Sequence, residues 1–102
     1  MTLGSLESQC ALPDDLDGIP GGFKCKDNKC INENKGYPNL NGAWDACKMI
    51  SECTYIMRYT NGTFYLRKSD DDYDTTPGLL YVEFKCPGTI ILNYLFSTFL
   101  IN

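Results

Sequence analysis

Six cysteines, Cys10, Cys25, Cys30, Cys47, Cys53 and Cys86, are the residues whose type and spacing could do chemistry in this chain. Thiols either oxidise in pairs or hold zinc, and spacing and partners decide between the two. Zinc sites favour C-x2-C or C-x4-C knuckles with matching partners. Here Cys25-x4-Cys30 fits, Cys47-x5-Cys53 does not, and the sequence has no histidine. An even cysteine count in only 102 residues therefore predicts a disulfide framework in an oxidising compartment. The expected localisation is secreted or extracellular, where such bonds persist.

Other chemistry finds little footing. Without histidine, serine and cysteine triads of the usual kind cannot be assembled. The carboxylates fall in charged stretches, not in the apolar settings that raise a pKa for acid catalysis. A Gly-rich phosphate loop is absent. The chain is expected not to be an enzyme and to use neither cofactor nor metal. Thirteen acidic residues against nine basic ones leave a net charge of −4, with a pI near 4.6. That balance argues against nucleic acid and against an anionic membrane surface, both of which attract basic patches.

The elements that must position these cysteines centre on residues 44–67. Ala43, Cys47 and Ile50 recur at helical spacing, with Ala46 reinforcing the face, so the pattern predicts a short amphipathic helix capped by Asn41 and ending by about Ser51. From Cys53 the period becomes two. Cys53, Tyr55, Met57 and Tyr59 share one face and Thr54, Ile56, Arg58 and Thr60 the other. Asn61-Gly62 then predicts a two-residue type I′ turn, which pairs Thr60 with Thr63, Tyr59 with Phe64 and Met57 with Leu66. Phe23–Cys25 and Cys30–Ile31, flanking Lys26–Lys29, predict a small hairpin with its cysteines facing each other. Residues 79–86 alternate as a further strand, with Leu80, Val82, Phe84 and Cys86 on one side. Ser69–Asp74 reads as an acidic, solvated loop, and residues 32–42 as a polar loop into the helix. Asp14, Asp15, Asp17 and Gly18 lack the full spacing of a calcium loop and read as a solvated turn. A helix with several strands makes a small α+β module.

A helix carrying a cysteine, C-x5-C leading into a strand, and an F-Y-L-R strand after a turn resemble the PAN/apple domain. The matching residues are Cys47-x5-Cys53 and Phe64-Tyr65-Leu66-Arg67. The resemblance covers roughly residues 22–86. It implies a curled antiparallel sheet packed on one short α-helix, stapled by disulfides. It further implies a bond from Cys47 to Cys53 and an outer pair for which Cys10 and Cys86 are placed. The family's remaining bridge falls on Ala43 and Phe64, an apolar pair able to pack in its stead, which leaves Cys25 and Cys30 to pair by exclusion. On this division residues 1–21 form an irregular arm and residues 87–102 an apolar tail. F-x-C-x4-C-I at Phe23–Ile31 is also similar to the opening of an LDL-receptor class A repeat, a calcium-binding module, although most of the cage carboxylates are missing.

PAN/apple domains bind proteins or carbohydrates outside cells, so the resemblance implies an extracellular protein or glycan partner. Arg58, Tyr65 and Arg67 are the expected ligand face, on the outer side of the hairpin. Trp44, Tyr59, Tyr73 and Tyr81 read more simply as core or half-core. Asn61-Gly62-Thr63 is an N-glycosylation sequon at an expected exposed tip, so Asn61 is the candidate glycan site.

The tail after Pro87-Gly88 carries no charge. At about 14 residues it is short for a helix spanning a bilayer, which needs ~20, and its composition favours a strand. Such a segment needs shelter in its own sheet, in a neighbouring copy by strand addition, or as a lipid-embedded or processed anchor. Docking through Ile90, Ile91, Leu92, Tyr94, Leu95, Phe96, Phe99, Leu100 and Ile101 into a neighbour would build a filament or another homo-oligomer. The leading expectation is a non-enzymatic extracellular adhesion or assembly subunit. The alternatives are a monomeric protein- or carbohydrate-binding PAN/apple module and a degenerate calcium-binding repeat. Residues 1–9 lack the basic start and apolar run of a secretory leader, so secretion implies that residue 1 is not the start of the gene product.

Overall fold

In the computed structural model of the chain, residues 10–14 and 16–85 are described. The chain divides into a unit spanning Asp14–Phe84 and a second made of Met1–Pro13 with Lys85–Asn102. Within the first unit the order is β1 (Ile19–Pro20), β2 (Gly22–Lys24), two short turns (Lys26–Asn28 and Ile31–Asn34), α1 (Leu40–Lys48), β3 (Cys53–Arg58), β4 (Phe64–Lys68), β5 (Asp72–Asp74) and β6 (Leu80–Glu83). It is a small α+β fold with one helix and antiparallel sheets. The main sheet has the order β1-β6-β3-β4, and β2 pairs with β5 in a separate ribbon. The tail residues Ile90–Ile101 and Cys86 lie outside the described residues. Among those described, no helix is long and apolar enough to cross a membrane.

Helix α1 is only nine residues long, too short to be stable from propensity alone, so its packing must hold it. Its cap is Asn39, not Asn41. The Asn39 backbone is extended, and its Oδ1 accepts the Gly42 N–H at 2.8 Å. Leu40, the first helical residue, lines a cavity together with Ile56 and Val82 of the sheet. The helix closes at Lys48, which pairs with Asp45 at 3.4 Å. Ala43, Trp44 and Cys47 are its buried face.

The sheet is covered on both sides. Register places Ile56 beside both Leu66 and Val82, and all three are buried. Leu40 of the helix shares their face, and Trp44 packs against Phe84 with ring centroids 4.6 Å apart. On the opposite face Met57 lies beside Tyr65 and Tyr81. There the ribbon covers it: Phe23 stacks on Tyr55 at 4.2 Å and meets Tyr81 edge-on at 4.9 Å.

Gly21 carries the chain from the sheet to the ribbon. Its φ is +118°, its N–H donates to the Leu79 carbonyl at 2.8 Å, and a Cβ there would collide with the Tyr73 hydroxyl. Only glycine tolerates both conditions. Pro20 just before it sits on an edge strand, where a missing N–H does no harm.

The β3–β4 connection differs from the two-residue turn expected. Tyr59 N–H donates to Thr63 O and Gly62 N–H to Tyr59 O, and Gly62 alone takes a positive φ, +90°. This is a three-residue loop, a turn followed by a glycine bulge. The extra residue changes the register by one, so Met57 faces Tyr65 and Arg58 faces Phe64. The expected pairs Tyr59–Phe64 and Met57–Leu66 are replaced. A bulge at Cys53–Tyr55 further breaks the alternation at the start of β3.

Two further expectations are corrected. Phe23–Ile31 is not a hairpin, because β2 finds its partner in β5, far along the chain. Ser69–Asp74 is solvated only in part: Ser69, Asp70, Asp72 and Tyr73 are exposed, but Asp72–Asp74 forms β5. Asp71 is buried, and its carboxylate accepts the N–H groups of Lys26 at 2.9 Å and Lys68 at 2.7 Å, so the acidic stretch clamps two loops.

Candidate functional site

Two of the six cysteine positions tie the helix to the sheet, and two shape a surface cleft. Cys47 and Cys53 are bonded, which locks the end of α1 to the start of β3. Cys25 and Cys30 are also bonded. Cys10 is disulfide-bonded as well, and its expected partner Cys86 lies outside the described residues. The Cys25–Cys30 bond closes a loop whose backbone is unusual. Asp27 and Asn28, then Asn32, Glu33 and Asn34, all have φ between +53° and +59°. Non-glycine residues in that region are strained, asparagine least so. Five of them within eight positions persist only if neighbouring groups hold them.

Those holding groups come from β4. Arg67 is 5% exposed, yet it reaches across to the loop. Its Nε donates to the Phe23 carbonyl at 2.8 Å, and its Nη1 to Asn34 Oδ1 at 2.8 Å and to the Leu66 carbonyl at 2.9 Å. Lys68 Nζ donates to the Lys29 carbonyl at 3.1 Å. Asn32 donates to the Tyr37 hydroxyl at 2.8 Å, and Tyr37 in turn bridges the backbone of Phe64. The guanidinium also lies 5.5 Å from the centre of the Tyr65 ring. Burial pulls the Arg67 pKa down from its ordinary value, opposed by the charge of Asp71 and by Tyr65.

Between this loop and the β3–β4 hairpin lies an open cleft of about 480 Å³. Its walls are Tyr59, Tyr65 and Met57 on one side and Asn28, Asn34 and the Cys25–Cys30 bond on the other. Arg67 and Phe23 form the base, with Lys24, Asn61 and Asp74 at the rim. Tyr59 stands edge-on to Tyr65 at 6.4 Å and is 46% exposed. The Asp74 carboxyl is held below its usual range by hydrogen bonds from the Thr76 hydroxyl and amide. A smaller apolar cavity of about 170 Å³ lies on the helix-facing side, lined by Leu16, Leu40, Phe64 and Leu80. Its lining offers little polar chemistry beyond Arg58.

The structure brings Tyr65 and Arg67 together and separates Arg58 from them. The one-residue change of register puts Arg58 with Phe64 and Leu80 on the other face. Arg67 is moreover inside the fold, not on its outer surface. Asn61 sits exposed in the turn, its side chain accepting the Thr63 N–H at 2.9 Å. Trp44 is buried at 2% exposure and is core. The sequence reading missed Asn28, Asn34 and Lys24 as cleft residues. The one available signal was the density of asparagine in residues 28–34, a residue type that tolerates left-handed backbone. Comparison with protein-family models, with curated proteins and with solved structures finds no match.

Proposed function

We propose that this chain is a secreted, non-enzymatic binding module of PAN/apple type, which holds an extracellular ligand in the cleft between the β3–β4 hairpin and the Cys25–Cys30 loop. One helix against an antiparallel sheet, and a Cys47–Cys53 bond at the C-x5-C motif, support the family reading. The disulfides support an oxidising compartment.

The observation that carries the ligand site is the cleft itself. A strained loop is held open by a buried arginine, beside an exposed tyrosine and several amides. Strain of this kind clusters at functional sites, and concave surfaces with few placed polar groups are where ligands bind.

The test is a wedge. Lys24 is exposed in β2 and lines the cleft, so Lys24→Trp fills the opening without entering the core. Binding of the fluorescent, oxidised chain to cell surfaces and extracellular matrix should fall at least tenfold with unchanged circular dichroism. Full retention of binding by the folded variant would place the ligand site elsewhere.

A further inference from the structure

We infer that the cleft recognises an acidic saccharide, with the Arg67 guanidinium receiving a sugar carboxylate. This deepens the proposed function and rests on the cleft being the ligand site. Arg67 has two of its three nitrogens engaged, Nε by Phe23 and Nη1 by Asn34 and Leu66. Nη2 has no hydrogen-bond partner among the described residues. No fully buried side-chain nitrogen or oxygen there lacks a partner, so Nη2 must be the end of the fork that meets solvent in the cavity. A guanidinium on a residue only 5% exposed normally has a carboxylate in direct contact. Arg67 has none within ion-pairing distance among the described residues. Asp71 acts on it through space, but both of that carboxylate's oxygens are taken by backbone amides.

Asp71 already balances part of the charge through space, and an incoming carboxylate would add the direct, charge-assisted hydrogen bond that Nη2 lacks. Lys24 at the rim adds a second cation. The remaining lining points to a sugar and not to a peptide. Tyr59 offers an exposed ring for the apolar face of a pyranose, while Asn28 and Asn34 can meet hydroxyls. A peptide's apolar side chain finds only Met57 as an aliphatic neighbour. Asp74 is the acid facing the site, and it opposes a carboxylate at the rim.

The test titrates the full oxidised chain with 3′-sialyllactose, lactose and sodium acetate, following the Arg67 Nε–H and the Tyr59 and Tyr65 ring signals by NMR. Sialyllactose should move all three sets and bind about tenfold or more tightly than lactose, in keeping with a charged hydrogen bond. Arg67→Lys should lose that preference. Because Arg67 also holds the loop, Asp74→Asn provides a second variant on an exposed strand, and it should tighten sialyllactose severalfold and leave lactose unchanged. Equal binding of lactose and sialyllactose overturns the acidic preference and leaves the cleft as the site. Shifts with acetate as large as with sialyllactose overturn the saccharide. Silence of all three signals with every probe overturns the inference, while the Lys24→Trp experiment still decides the fate of the cleft.

Discussion

The two faces of the main sheet are built on different physics. Toward the helix, Ile56, Leu66 and Val82 lie side by side beneath Ala43 and Trp44, an apolar layer that needs only matched volume. Toward the ribbon, the same strands present Tyr55, Met57, Tyr65, Tyr81 and Arg67, packed against Phe23 and a left-handed loop. The first face is stabilised by burial. The second adds directed hydrogen bonds to carbonyls and an amide to the buried packing of Phe23 on Tyr55 and Tyr81, and it leaves a cleft. Such a division lets one side hold the fold while the other departs from regular backbone for binding.

Substitutions should separate the two faces, and each can be read by urea denaturation of the oxidised chain. Trp44→Ala should cost the most, about 3–5 kcal/mol, because it empties the centre of the helix-facing layer. If it cost under ~1 kcal/mol, that layer would not be the main source of stability. Arg67→Met should cost about 1–3 kcal/mol, since the Phe23 carbonyl and Asn34 lose their donor, and it should expose the loop at 26–34 to hydrogen exchange before the sheet. Global unfolding with no preferential loop exchange would mean that the two faces form one cooperative structure. Replacing Cys25 and Cys30 together by serine should cost about 2 kcal/mol from the unfolded chain's gain in freedom, again with the loop affected first. Asn39→Ala should cost about 1 kcal/mol through loss of its hydrogen bond to Gly42, and should leave ligand binding intact. Tyr59→Ala, at an exposed position, should change stability by no more than ~0.5 kcal/mol while weakening the ligand, the reverse of Asn39→Ala.

Much of the helix-facing side was legible in the residues. Ala43 and Cys47 recur at helical spacing and Cys47-x5-Cys53 marks the junction that the disulfide closes, whereas Leu66 was expected beside Met57 and the register brings it instead to Ile56. The hairpin was legible in kind and not in register. Asn61-Gly62 serves both two- and three-residue loops, and the difference of one residue sends Arg58 and Arg67 to opposite faces. The cleft was the least legible. Asp71 looks like any member of a charged run until Lys26, 45 residues earlier, is found to donate to it. Arg67 looks exposed until Phe23, 44 residues away, accepts its Nε–H.

Cysteine number, the absence of histidine and the change of period at Cys53 were enough to indicate an oxidised α+β chain with a helix leading into a strand. These signals depend on neighbours within a few positions, and local sterics and spacing act there directly. The pairing of β2 with β5, the burial of Arg67 and the left-handed loop were decided only by the folded chain. Each depends on groups brought together across some 30 to 50 residues, and whether a polar side chain is buried or solvated turns on which partners arrive there.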